Sequence, residues 1–350
     1  MKTLSAKNYW HNKEFAIYGT TCDHVQQIFI EVNSKLDRNL VFVDASHTAT
    51  DNSQNNFTTF ENGFSEFTDS PINSCTLSKF QGAIINGNHH RSSAQVIVVN
   101  NKKQESLLRR VHELNHVVAI VTTSDLHVPD YIEPFVSPET IVLSYERFIS
   151  EFVKSFFDVP KIKMLILAGG MSKRMGEDKA LIRYQNQIQL NRILQMSAEL
   201  NLPSYLSVRS NQSHWGEEFG VEVIEDILIN AGPVSGIVSA MKSDANCAWL
   251  VVACDLPLLS TTDLKLLIES RDSQKIATCF QAPIDGGPEP LCTIWEPEAI
   301  NPLLNWWAKG VNCPRKTLFN SNVKIIKPND NSVLFNANTP EEREEVKSKL

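Results

Sequence analysis

The sequence lacks the features that would tie it to a membrane, to nucleic acid or to an oxidising compartment. Its 350 residues contain no run of about 18 apolar residues, so no transmembrane helix is expected. Residues 1–15, MKTLSAKNYWHNKEF, hold no apolar core of a secretory signal. Positive charge is in deficit: 33 Lys and Arg stand against 40 Asp and Glu, a net charge of -7. The basic footprint that nucleic acid or an anionic membrane surface demands is missing. Seven cysteines are scattered, with no C-x-x-C pair. That argues against a disulfide framework or a zinc site and for reduced thiols in the cytoplasm. No G-x-x-x-x-G-K-[ST] sequence occurs either, which excludes a Walker-type phosphate loop.

What is present is an ordinary globular mixture, 42% hydrophobic and 21% charged. Single cores stop growing at roughly 250–300 residues, so a chain of this length predicts two domains. A helix is expected over residues 145–157, and DVPKIK follows at 158–163, where Pro160 stops it. The boundary is therefore set there, giving domains 1–160 and 161–350. The polar stretch 48–56, TATDNSQNN, reads as a surface loop. Short apolar runs recur at 15–18, 40–43, 83–85, 96–99 and 117–121, and again at 164–168, 205–208, 221–224, 249–253 and 276–280. Continuous apolar runs fit parallel strands buried on both faces, and their alternation with helical segments predicts α/β units. The expected fold is two tandem three-layer α/β domains. The second is Rossmann-like with a mostly parallel sheet, and functional loops belong at the carboxyl ends of its strands.

Residues 167–179, LAGGMSKRMGEDK, carry the strongest chemistry. An apolar strand delivers the chain to Gly169 and Gly170, whose backbone amides can approach a triphosphate closely. Lys173, Arg174 and Lys179 then add fixed cations, which a phosphate-transfer site needs to offset charge in the transition state. The segment matches L-A-G-G-x-S-x-R-M-G-x-D-K and resembles the signature of the molybdenum cofactor guanylyltransferases and their cytidylyl-transferring relatives. The alternative is a glycine-rich turn with surface cations.

Further matches follow in order. Residues 223–236, VIEDILINAGPVSG, resemble the family's acidic pair followed by G-P-x-x-G. The resemblance places Asp226 at the nucleoside, where a carboxylate at a strand end can accept hydrogen bonds from base or ribose. Residues 249–258, WLVVACDLPL, resemble the family's C-D-x-P, whose aspartate holds Mg²⁺. Asp255 is then the metal ligand, since magnesium takes one or two carboxylates plus phosphate oxygens. The bland alternative is an Asx-type cap on the turn before Thr262 and Asp263. In residues 286–295, GGPEPLCTIW, Glu289 and Pro290 are expected near the acceptor, while Cys292 is expected to be a buried thiol. The ending FNANTPEE resembles N-x-N-T-P-E-[ED]. Thr339, Pro340 and Glu342 there form a capping signal, while Asn336 and Asn338 point to the pterin acceptor or to simple turn chemistry.

The resemblance implies transfer of GMP from GTP to molybdopterin with release of pyrophosphate. Lys179, Arg174 and Asp255 would carry catalysis. Leu167, Ala168, Gly169, Gly170, Lys179, Arg209, Asp226 and Asp255 would line the nucleotide, and Glu289, Pro290, Asn336 and Asn338 the acceptor. Mg²⁺ is the implied cofactor, and molybdoenzymes or cofactor-insertion proteins are the implied recipients. One departure is Arg209, where some members carry asparagine. It leaves CTP open as the donor, alongside a sugar or polyol phosphate as the acceptor and a non-catalytic nucleotide-binding regulator.

The first domain carries FAIYGTT at 15–21 where a phosphate loop would start, with one glycine and no lysine. Its order of strands, and Gly87-Asn88-His89-His90 at a strand end, weakly resemble the GTP-binding adaptor that accompanies these enzymes. A degenerate adaptor that docks or delivers substrate is the expectation, with an unrelated α/β domain as the alternative. Adjacent histidines on such a loop point apart and argue against a metal there.

Overall fold

A computed structural model describes residues 13–36, 38–45, 57–61, 64–68, 80–122, 127–168, 178–184, 186–337 and 339–349. The polar stretch 48–56 lies outside them. The chain divides into two compact units, Met1–Asp158 and Val159–Leu350. Among the described residues no helix is long and apolar enough to cross a membrane.

In the first unit the described strands are β1 (Glu14–Tyr18), β2 (Leu40–Ala45), β3 (Phe57–Glu61), β4 (Phe64–Thr68), β5 (Gly82–Asn86), β6 (Gln95–Val98), β7 (Val117–Thr122) and β8 (Ile141–Ser144). They form one sheet in the order β4-β3-β2-β5-β1-β6-β7-β8. All pairs are parallel except β2–β3 and β3–β4. Successive residues of a strand face opposite sides. Phe15 and Ile17 accordingly enter one core with Val25 and Ile28, while Ala16 and Tyr18 enter another with Leu107 and Ile132. That two-sided burial is why the strands read as unbroken apolar runs. Helix Cys22–Lys35 buries Val25, Ile28, Phe29 and Val32, one stripe at helical spacing, and Thr21 caps its start by accepting from the His24 amide. The helix expected over 145–157 is present, with a π-helical turn at Phe148–Phe152 inside it.

In the second unit the strands are β9 (Lys161–Leu167), a short hairpin of β10 (Arg183–Tyr184) and β11 (Gln187–Ile188), β12 (Ser204–Val208), β13 (Glu222–Glu225), β14 (Cys247–Ala253), β15 (Ala277–Gln281), β16 (Pro288–Trp295) and β17 (Val323–Ile326). The main sheet runs β13-β12-β9-β14-β16-β15-β17. Among the described strands of this sheet only β16 runs against its neighbours, pairing antiparallel with β14 and β15. Met164, Ile166, Leu250 and Val252 pack with helices Gln189–Glu199 and Thr261–Glu269 on one face. Leu165, Trp249 and Val251 pack with helices Pro233–Ser243 and Ile300–Ala308 on the other. The strand order reverses at β9, with β12 and β13 to one side and β14 to the other. Open α/β sheets bind ligands outside the carboxyl ends of strands at such a switch point.

Candidate active site

β9 brings Leu167 and Ala168 to that carboxyl edge. The following residues 169–177, with Gly169, Gly170 and Arg174, lie outside the described residues, as does Asn338. The described chain resumes at Asp178, which caps the turn Lys179–Leu181 by accepting from the Ala180 amide at 3.2 Å. Its second oxygen accepts from Gln212 Nε2 at 2.9 Å. This anchored turn aims Lys179 at Asp255, with Nζ 3.4 Å from Oδ2.

Asp255 follows the fully buried β14. Its Oδ1 is buried and, among the described residues, accepts no hydrogen bond. Nor does Asp255 cap the helix that follows: Thr261–Glu269 is capped by Ser260, with Asp263 completing the capping box. A buried carboxylate oxygen without a donor is costly, and a water or a cation offsets that cost. Among the described residues no three His, Cys, Asp or Glu side chains gather to hold a metal. A Mg²⁺ ion here fits Asp255 together with phosphate and water oxygens, its usual mixture of ligands.

Two later segments converge on Asp255. Glu289, at the start of β16, feels the Asp255 charge, and its Oε1 accepts from the Leu291 amide at 3.0 Å. Burial pushes the Glu289 carboxyl above the ordinary range, the Leu291 amide pulls it back, and Asp255 pushes it further. The Ala337 amide donates to the Asp255 carbonyl at 3.0 Å. Asn336, the residue before Ala337, is exposed. Pro290 is buried, and its carbonyl accepts from Trp295 Nε1. Cys292 is buried in the core, and burial drives its thiol pKa well up.

A second group stands at the ends of β12 and β13. The Asp226 amide donates to the Val208 carbonyl at 2.9 Å, and Oδ1 accepts from Ser207 Oγ at 2.8 Å. Burial raises the Asp226 carboxyl, while Ser207 and the charge of Arg209 draw it down. Arg209 acts on Asp178 in the same sense, so the guanidinium lies within electrostatic reach of both carboxylates. The loop after Asp226 is tied to helix Pro233–Ser243, whose Ser239 and Ser235 hydroxyls accept from the Ile227 and Leu228 amides. Gly232, at φ +56°, opens that helix in a conformation that favours glycine.

Ser207, Gln212, Ser235, Ser239 and Asp178 were not expected as site residues from sequence. Ser235 and Ser239 did carry a signal, being two hydroxyls one turn apart in the otherwise apolar PVSGIVSAM. Gly236 is also fixed by the site. A Cβ there would overlap Ser207 Oγ and sit 2.8 Å from Leu167 Cδ2. Gly236→Ala is expected to cost about 1–3 kcal/mol in a denaturant melt, the usual penalty for overpacking. It should also shift the Asp226 carboxylate, because the displaced Ser207 hydroxyl is the one that donates to its Oδ1.

A family model described as the MobA-like NTP transferase domain matches residues 164–322. The chain is similar to a molybdenum cofactor biosynthesis bifunctional protein of Synechocystis, 34% identical over 178 residues. The match covers 51% of this chain and 51% of the relative, so the chain spans about half the length of that relative. A probable molybdenum cofactor guanylyltransferase of Clostridium perfringens is 30% identical over 163 residues, covering 46% of this chain and 79% of the relative. Among solved structures the chain is similar to molybdopterin-guanine dinucleotide biosynthesis protein A of Archaeoglobus fulgidus. That likeness has 21% identity and a TM-score of 0.47, covering 54% of this chain and the whole of the other.

Proposed function

This chain belongs to the MobA-like NTP transferase family, and we propose on that premise that its second unit transfers GMP from GTP to molybdopterin. An oxygen of the acceptor phosphate bonds to the α-phosphorus of GTP, the bond from that phosphorus to the bridging oxygen of the β-phosphate breaks, and pyrophosphate leaves. The acceptor is anionic near neutral pH, so no general base is required, and catalysis is positioning and charge stabilisation. The observation that carries this is Asp255, with one buried oxygen lacking a hydrogen-bond donor among the described residues and the other facing Lys179.

Asp255 would hold Mg²⁺, which when bound supplies Lewis-acid neutralisation of the triphosphate. Lys179 would turn from Asp255 to the phosphates, joined by Arg174 and by the amides of Gly169 and Gly170. Leu167 and Ala168 would floor the nucleotide. Asp226 would accept from base or ribose, with Arg209 beside it. Glu289, Asn336 and Asn338 would face the acceptor, with Pro290 packing beneath them. The first unit is proposed as a degenerate, non-hydrolysing relative of a GTP-binding adaptor. Only Gly19, Thr20 and Thr21 separate β1 from helix Cys22–Lys35, and no lysine stands there for a phosphate. The whole chain would work in the cytoplasm and pass its product to molybdoenzymes or insertion proteins.

Pyrophosphate release with Mg²⁺ and molybdopterin, compared across GTP, CTP, ATP and UTP, tests the proposal. Release with GTP alone is expected. Release with CTP alone would move the base preference, with Arg209 as its cause. Binding without release for all four would overturn the pterin acceptor.

A further inference from the structure

We propose that Arg192 is a positioning residue for the metal-bearing carboxylate: it locks the backbone of residues 255–259 and so fixes where Asp255 points. The inference rests on Asp255 being the cation ligand. Arg192 lies on helix Gln189–Glu199, which buries Leu190, Ile193 and Met196 together with the polar Gln189 and Ser197. Its NH1 donates to the Pro257 carbonyl and to Gln189 Oε1, and its NH2 donates to the Leu259 carbonyl at 3.1 Å. Gln189, fully buried one turn earlier, donates Nε2 to the Leu256 carbonyl at 3.2 Å. The Ala337 amide takes the Asp255 carbonyl from the other side. The carbonyls of Asp255, Leu256, Pro257 and Leu259 are thus all held from outside the turn.

Packing alone does not account for an arginine here. The guanidinium is half-buried, and among the described residues no carboxylate lies within ion-pair distance of it. Burial pushes its pKa down, with only Tyr184 opposing. Desolvating a cation without a counter-charge is unfavourable, and a methionine would fill the same volume without that cost. A planar fork of five donors can hold several carbonyls at once, which neither methionine nor lysine can do. Residues that orient a metal ligand from behind act in this way.

The test uses the full chain with GTP, following Mn²⁺ binding by electron paramagnetic resonance, with pyrophosphate release in parallel. For Arg192→Met, cation affinity in the ternary complex is expected to weaken about 10-fold and kcat to fall about 10- to 100-fold, the usual range for outer partners of a metal ligand. GTP affinity without cation should stay within about twofold of wild type, a change of no more than about 0.4 kcal/mol. Arg192→Lys should fall between the two. Unchanged cation affinity in folded Arg192→Met overturns the proposal, as does an equal loss of cation-free GTP binding. If Arg192→Met does not fold, Arg192→Lys decides, and wild-type cation affinity there overturns it. A wild-type chain that binds Mn²⁺ and GTP but transfers nothing to molybdopterin sinks the proposed reaction and leaves the role of Arg192 to these titrations.

Discussion

Asp255→Ala is expected to lower kcat for pyrophosphate release by about 10³-fold or more, since a catalytic divalent ion contributes several kcal/mol and each 1.36 kcal/mol is tenfold. Cation-free binding of GTP should survive and even tighten. The substitution removes a carboxylate that repels the triphosphate, and it frees Lys179 Nζ from its contact at 3.4 Å. Asp255→Asn sharpens the test, because it keeps the shape and the capping ability of the side chain while losing the charge. Near wild-type turnover in Asp255→Asn would return the residue to turn chemistry, despite a carboxylate that does not cap the helix after it. Loss of both turnover and cation-dependent nucleotide affinity is the expected pair of results. A non-catalytic nucleotide binder would lose only the second.

The parts of this fold legible in the sequence are those where burial is two-sided. The run WLVVA reads as a strand because Trp249 and Val251 feed one core while Leu250 and Val252 feed the other. The edge strands are harder. β17 is only partly buried, and β8 shows a single buried residue, Leu143, so neither carries a clear period. β16 hid for another reason. Its sequence PEPLCTIW read as an acceptor motif, and nothing local announces that it runs antiparallel between β14 and β15. The site divides in the same way. Asp226 and Asp255 stand just beyond apolar runs, where the topology forces them to the carboxyl edge. Ser207, Gln212 and Arg192 act through partners 19, 34 and 65 or more residues away. A lone polar residue in a strand or helix gives no sign of such a partner until the sheet order is known.

The second large effect concerns stability rather than chemistry: Glu296→Ala is expected to cost about 3–5 kcal/mol, the penalty for stripping one partner from a buried ion pair. Glu296 is fully buried just past the end of β16, and its two oxygens accept from Arg271 Nε and NH2 at 2.7 Å each. Arg271 NH1 donates in turn to the Pro160 carbonyl at 2.8 Å, tying the entry of β9 to the far end of β16. Removing the carboxylate leaves a guanidinium that is 11% exposed and able to recover little water. A urea melt should show a lower midpoint with an unchanged slope. Replacing both partners with apolar residues should cost less than the sum of the single changes, because the orphaned charge disappears with the pair. This pair lies at the amino end of the parallel strands, whereas Asp255 lies at their carboxyl end. In conditions where the protein stays folded, Glu296→Ala should therefore keep wild-type cation affinity and kcat, while Asp255→Ala should lose both and keep its melting midpoint. If Glu296→Ala instead lost turnover without losing stability, the amino end of the sheet would be coupled to the site, and the separation of scaffold from chemistry drawn from this geometry would fail.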